Sequence, residues 1–297
     1  MTLNHEKLLA AITQIERLTP APRVLGKALV LLNDPESDIA DIATLIRSDP
    51  ALAADVIRGA NSAFYGIGER VSSLDRALQR IGFREGVRLL NLSVGHIMSA
   101  RSLSCYRIGA DDFWAESLFN GLFLEKLAKA TRGGDPEEAH TAGLLRFIGR
   151  LAVDQCLRDG DMTNVWNGVV ALPAWEREQV GFVQGYAGSL LLQRWGFPDE
   201  MIRAVAAQDQ DSSAEAGWLG EALNFTSTVL PPALGLSFAV LATEYSVPSL
   251  PDTAFVRRNN LTGEAVTGFV AACRADFIAI GSNLYEQQIS RVKKQAV

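Results

Sequence analysis

Residues 46–66 read IRSDPALAADVIRGANSAFYG, and the order of residue types in this stretch decides the fold. Asp49 stands directly before Pro50. A carboxylate there accepts from free backbone N–H groups at a helix start, and proline at the first helical position has no N–H to satisfy. Apolar residues then recur at three- and four-residue spacing through Ala53, Val56, Ile57 and Ala60, the period of one helix face. Asn61 and Ser62 end the run, since their side chains bond free carbonyls or the next turn. The same punctuation repeats outward in both directions. Asp34-Pro35 closes one helix and Ser37 or Asp38 opens the next. Ser72 or Ser73 caps Leu74 to Ile81, with Gly82 where a helix end needs a left-handed residue. Asp135-Pro136-Glu137 repeats the Asp-Pro start, while Gly196 and Pro198 end a segment running from Tyr186 to Trp195. Alternating β-branched runs of strand length are nearly absent. The expected class is all-α.

Composition narrows the function classes. The chain has 297 residues, 48% of them hydrophobic, and 34 acidic against 28 basic side chains give a net charge of −6. That balance argues against general binding to nucleic acid or an anionic membrane, both of which need a basic face to displace counterions. The N-terminus mixes acids and bases without an apolar core, so no signal peptide is expected. The longest apolar stretch, Ala233 to Ala242, is far shorter than the roughly 18–20 residues that span a bilayer. Three scattered cysteines, Cys105, Cys156 and Cys273, read as reduced and cytosolic. No CxxC, HExxH or paired-histidine spacing offers a metal site around His5, His96 or His140.

The linkers are short, and the best break lies near Gly109 to Asp112, between a helix ending near Arg101 and one opening at Phe113. This predicts an N-terminal helical subdomain over 1–110, a second over 111–210, and a C-terminal helical extension over 211–297 packed on the body. Nucleotide turns fail at Gly66-Ile67-Gly68 and at Gly26-Lys27, and there is no GxSxG elbow. The acidic pairs Asp111-Asp112, Glu137-Glu138 and Asp199-Glu200 sit at helix starts, where negative charge complements the helix dipole. A lone His140 on a core-facing helix reads as packed or hydrogen-bonded rather than metal-ligating.

Several segments together carry a family resemblance. They are Leu18-Thr-Pro-Ala-Pro22, Leu31-Leu-Asn-Asp-Pro35, Ile46 to Leu52 and Ala60-Asn-Ser-Ala-Phe-Tyr-Gly66, followed by Ser72 to Ala77. Downstream come Asp135 to Ala139, Ala142-Gly-Leu-Leu145, Ile148-Gly-Arg-Leu-Ala152, Glu176-Arg-Glu178 and Arg194-Trp-Gly-Phe-Pro198. In this order the set resembles HDOD domains, helical output modules of bacterial signalling proteins, over roughly residues 14–210. The resemblance implies a two-subdomain fold similar to that of HD-type metal-dependent phosphohydrolases. Their site comprises a histidine on an early helix, an adjacent His-Asp pair and later histidines. At the matching positions this chain has Glu116 for the first histidine, Arg146-Phe147 for His-Asp, Gln184 for a later histidine and Gln208-Asp209 for a His-His pair.

A hydrolytic metal needs three or more lone-pair donors and an open position for water. Arg146 is a permanent cation without a lone pair and Phe147 is apolar, so no catalytic residue, metal or cofactor is expected. Two readings of these positions stay open. Phe147 fills the vacated space while Arg146 points to solvent, or Arg146 pairs with Glu116 or Asp209 as an ionic staple. The loop Asn61, Ser62, Phe64, Tyr65, Gly66 likewise reads either as a helix terminator whose aromatics pack the subdomain junction or as a ligand-contact loop.

Three functions follow: a non-catalytic cytoplasmic module acting on a separate signalling protein, a nucleotide or small-anion sensor using Arg146, Gln184 and Gln208, and a residual phosphohydrolase using Glu116 and Asp209. The residues after Asp211 read either as a cover over the cleft or as a homodimer seam.

Overall fold

The computed structural model describes residues 2–15, 24, 27–28, 31, 39–65, 68–82, 85–86, 102–159, 165–210, 213–230 and 249–295, with side chains in the last segment through 280. Several expectations lie outside the described residues: the turn at Asp34-Pro35, the opening at Ser37 or Asp38, Gly66, His96, the helix end near Arg101 and the stretch Ala233 to Ala242.

The described residues form thirteen α-helices. They are α1 (Thr2–Gln14), α2 (Ile39–Arg47), α3 (Pro50–Ala60), α4 (Leu74–Ile81), α5 (Ala110–Thr131), α6 (Pro136–Leu145) and α7 (Gly149–Asp159). There follow α8 (Leu172–Val180), α9 (Gln184–Arg194), α10 (Asp199–Ala207), α11 (Gly217–Val229), α12 (Ala254–Arg258) and α13 (Gly263–Gln295). Among the described residues no β-strand occurs beyond one isolated antiparallel bridge, Leu103 to Ile108. None of the described helices is long and apolar enough to cross a membrane.

The caps read from sequence are in place. Asp49 accepts from the N–H groups of Ala51 at 2.9 Å and Leu52 at 3.0 Å. Ser73 caps α4, Gly82 closes it at φ 80°, and Asp135 accepts from the Glu137 N–H at 2.9 Å. One start is displaced: α5 opens at Ala110 rather than Phe113, which brings Asp111 and Asp112 into its first turn.

Helix α5 is the axis of the molecule. Thirteen of its 22 residues are buried, on nearly all its faces, as expected of a helix wrapped by others. Its most extensive partner is α6. The two cross closely because Gly143 lies against α5: a Cβ there would stand 2.5 Å from the Asn120 carbonyl oxygen. On the other side α13 buries Val266, Val270, Cys273 and Phe277, spaced along one helix face. Phe277 sits with its ring centroid 5.8 Å from both Trp114 and Phe119. A phenyl ring so placed contributes about 1.5–3 kcal/mol through burial.

The start of α6 grips the N-terminal helices. Glu137 and Glu125 both engage Arg47 at the end of α2, the second at 2.8 Å. Glu138 accepts from the Ser72 hydroxyl, and Arg76 reaches Asp135 at 3.3 Å. His140 places Nε2 3.1 Å from the Arg47 carbonyl and Nδ1 3.3 Å from Glu125. Burial acts to raise the Glu125 carboxyl, but hydrogen bonds from His140 and Lys129 and the charge of Arg47 outweigh it and hold the group well below its usual range. The acids at this helix start therefore do more than offset a dipole: they tie two parts of the chain together.

Candidate functional site

The positions aligned with metal ligands converge where α5, α7, α9 and the end of α10 meet. Gly149 sets the approach of α7 to α9, because a Cβ on it would fall 1.9 Å from the Gln184 carbonyl oxygen. Glu116 faces this junction from α5 and is buried. Its partner is Arg150, in the first turn of α7, which donates from Nη1 to Oε2 at 2.7 Å and from Nη2 to Oε1 at 3.4 Å. Arg150 has no exposed surface, and its guanidinium lies 3.8 Å from the Phe147 ring centroid.

Arg146 follows the last residue of α6 and is 1% exposed. Nη1 donates to Asn120 Oδ1 at 2.6 Å, Nε to Gln208 Oε1 at 3.2 Å and Nη2 to the Ser227 hydroxyl on α11. Gln208 returns a bond from Nε2 to the Arg146 carbonyl at 3.0 Å. Burial pushes the Arg146 guanidinium down to about 10, against the attraction of Asp209 and Glu116. Arg146 also lies 4.5 Å from the Phe147 ring centroid, so the one aromatic side chain is close to two cations.

These facts correct two sequence expectations. Arg146 does not point to solvent, and the direct ionic partner of Glu116 is Arg150, four residues further on, not Arg146. Phe147 is buried, 2% exposed. Gln184 is also buried at the head of α9, and Asp209 follows Gln208 just past α10. Burial raises the Asp209 carboxyl, and Arg146, Arg150 and a hydrogen bond from Gln184 oppose that rise.

A residue read from the sequence only as part of a family motif, and not as a site residue, completes the network. Glu176 on α8 is fully buried and accepts from the Tyr106 hydroxyl at 2.8 Å and the Gln184 N–H at 2.7 Å. Burial lifts its carboxyl to about 7, although both hydrogen bonds and Arg150 pull the other way. Three carboxyl groups, Glu116, Glu176 and Asp209, thus share this junction with two guanidinium groups. A signal for the second arginine existed: Arg146 and Arg150 interrupt the run LLRFIGRLA at 144–152, and charges in a core-facing run must be paired.

The chemistry of this donor set does not fit a divalent metal. Guanidinium groups have no lone pair to give, and two of them occupy the ground between the remaining carboxylates. Among the described residues no group of three or more His, Cys, Asp or Glu could hold a metal ion. The cysteines offer no nucleophile either: all three are buried and free, and burial pushes the thiols of Cys105 and Cys156 up to about 11.

The loop after α3 is built by Asn61, which accepts from the Val71 N–H at 2.9 Å and donates to the Val71 carbonyl at 2.8 Å. Ser62 bonds back to the Gly59 carbonyl at 2.7 Å. Tyr65 packs partly against the core, but Phe64 is 80% exposed. The expectation that both aromatics pack a subdomain junction is therefore wrong for Phe64, whose edge-on contact is with Tyr65.

Comparison with known proteins agrees with this architecture. A response regulator, MmoQ from Methylococcus capsulatus str. Bath, superposes with a TM-score of 0.63 at 25% identity, covering 86% of this chain and 98% of that one. A virulence factor from Campylobacter jejuni subsp. jejuni has the same fold, with a TM-score of 0.63 at 18% identity over 91% of this chain and 99% of that one. An uncharacterised protein of Treponema pallidum (strain Nichols) is 28% identical over 209 residues, which make up 67% of this chain and 39% of that longer protein. The family model for the HDOD domain matches residues 18–211. Covering well over half of the sequence, that match makes the chain a member of the HDOD domain family.

Proposed function

We propose that this chain is a non-catalytic signalling module of the cytoplasm that acts by binding a partner protein. Membership in the HDOD family, together with a response regulator among the proteins of similar structure, supports the signalling role. The observation that carries the non-catalytic part is the pair of buried arginines at the metal-ligand positions. Arg150 binds both oxygens of Glu116, and Arg146 has Nε, Nη1 and Nη2 each bonded to a neutral side chain. A hydrolase needs an ion and an open position for water in this place, and two buried guanidinium groups among its carboxylates weigh against both. The same bonds weigh against an anionic nucleotide held by Arg146, Gln184 and Gln208, because the ligand would have to displace three interior hydrogen bonds.

Affinity capture of the full chain from its native host, with mass spectrometry of bound proteins and elemental analysis of the same preparation, tests the proposal. An enriched signalling protein with no stoichiometric metal is the expected result. A stoichiometric transition metal with phosphodiester turnover that is lost in Glu116→Gln would overturn it.

A further inference from the structure

The imidazole of His140 stands where neither of its neutral forms fits. The ring lies on α6 against α5, close enough that a Cβ on Gly121 would stand 3.3 Å from its Cε1, and the residue is 3% exposed. Nε2 is 3.1 Å from the carbonyl oxygen of Arg47 at the end of α2, and Nδ1 is 3.3 Å from Oε2 of Glu125 on α5. A carbonyl oxygen and a carboxylate can only accept. Burial opposes the charge on Glu125, but its hydrogen bonds and Arg47 keep the carboxyl ionised. A neutral imidazole has one N–H and one lone pair, so either tautomer turns a lone pair onto an oxygen. The Nε2–H form turns it onto Glu125, and the Nδ1–H form onto the Arg47 carbonyl. The imidazolium, with two N–H groups, donates to both.

The charges around the ring come from several helices. Arg47 of α2 opposes a second cation, but its guanidinium is bonded to Glu125 and to Glu137, three residues before His140 on α6. Lys129 of α5 holds the other oxygen of Glu125 at 2.6 Å. Asp276 of α13 lines the same cleft as His140 and is paired with Lys126 at 2.6 Å. The remaining helices packed on α6 bring charges paired with other groups: Asp55 of α3 with Arg58, Arg76 of α4 with Asp135 and Glu138, and Glu221 of α11 with Arg258. The cleft, about 340 Å³ between α2, α5 and α13, gives a proton a route to the ring.

We propose that His140 is a proton-sensitive clasp, which as imidazolium ties the end of α2 to both α5 and α6 and on giving its proton to solvent loses one of the two ties. Docking of α2 and uptake of the proton then favour each other, so the attachment is tightest in acid. It loosens as pH rises through the span of about pH 5–8 in which histidine changes charge. The clasp shares no residue with the network around Arg146, so it is independent of the proposed function.

Ring-nitrogen NMR of the full chain, with the His140 signals assigned through its own backbone, reads the protonation without any variant. Both nitrogens should carry a proton at about pH 5 and one should lose it by about pH 8; a ring that keeps a single form across that span overturns the proposal. Amide hydrogen exchange then reads the attachment. Corrected for intrinsic rates, protection of α2 should fall roughly tenfold or more over the same span, the loss of one hydrogen bond to a charged group. Glu125→Gln offers a neutral ring an amide N–H in place of the carboxylate, so protection of α2 in that variant should not follow pH. Both chains carry Glu176→Gln, which keeps the response of that carboxyl out of the comparison. An α2 protection that is flat with pH in the chain with Glu125, or that falls equally in both chains, refutes the clasp.

Discussion

Replacing Arg150 with Met removes one partner of the buried pair and leaves Glu116 facing the interior with nothing to accept from. Glu116 is 3% exposed and Arg150 0%, so solvent cannot take over the lost bonds. Breaking such a pair from one side costs about 3–5 kcal/mol, and loss of the guanidinium stacked on Phe147 adds about 0.5–2 kcal/mol. At about 2 °C per kcal/mol for a chain this long, the melting temperature falls by roughly 7–14 °C. Removing both partners is a different perturbation, because Glu116→Leu with Arg150→Met leaves no uncompensated charge. The double variant should regain about 2–4 kcal/mol over the sum of the two single changes. Urea unfolding of the parent, both single variants and the double variant measures this coupling directly. Additivity within about 0.5 kcal/mol, or an Arg150→Met chain that melts like the parent, would refute the reasoning.

Arg146→Ala strands Asn120, Gln208 and Ser227 in the interior and should cost about 2–4 kcal/mol, read by the same denaturant curves. Glu176 provides a pH dependence: its folded-state value, about 7, lies above the ordinary 4.5, so the folded state holds the extra proton. That contribution is fully present below pH 4.5 and is lost as pH rises through 7, an amount on the order of 3 kcal/mol. Melting temperatures of the parent and Glu176→Gln across pH 5–8 should differ in slope accordingly, since the Gln amide can donate to the Tyr106 oxygen and still accept from Gln184; parallel slopes would remove the assignment. Gly143→Ala should destabilise by about 1–3 kcal/mol through its clash with the Asn120 carbonyl, measured by thermal melting.

Much of this molecule is legible in its sequence because its helix boundaries are local chemistry. The Asp-Pro starts at Asp49 and Asp135, the Ser73 cap and Gly82 each act within four residues, and the structure has them as read. The ordered motifs also pointed to Glu116, Arg146, Phe147 and the glutamines as one constellation. What could not be read is which of two arginines one turn apart reaches Glu116. That choice depends on the turn between α6 and α7, which carries Arg146 toward Asn120 and α11 and leaves Arg150 facing α5. The long-range half of the acidic start of α6 was hidden for the same reason. Glu137 satisfies a local rule about helix dipoles whether or not Arg47 stands opposite. Phe64 was misplaced because an aromatic in a motif suggests burial, whereas the Asn61 clasp to Val71 fixes the loop without it.

Ser227 on α11 has a consequence for what counts as one folding unit. The family match ends at residue 211, yet the third bond of Arg146 comes from beyond that point, as does the Asn224 amide that donates to the Gln208 and Gln210 carbonyls at 3.1 Å. The aromatic lid on Trp114 and Phe119 also comes from there, through Phe277. A chain cut after residue 212 would keep every family motif while opening the arginine cluster to water and baring one side of its central helix. The segment matched by the family and the segment that closes the arginine cluster are thus different lengths of the same polypeptide.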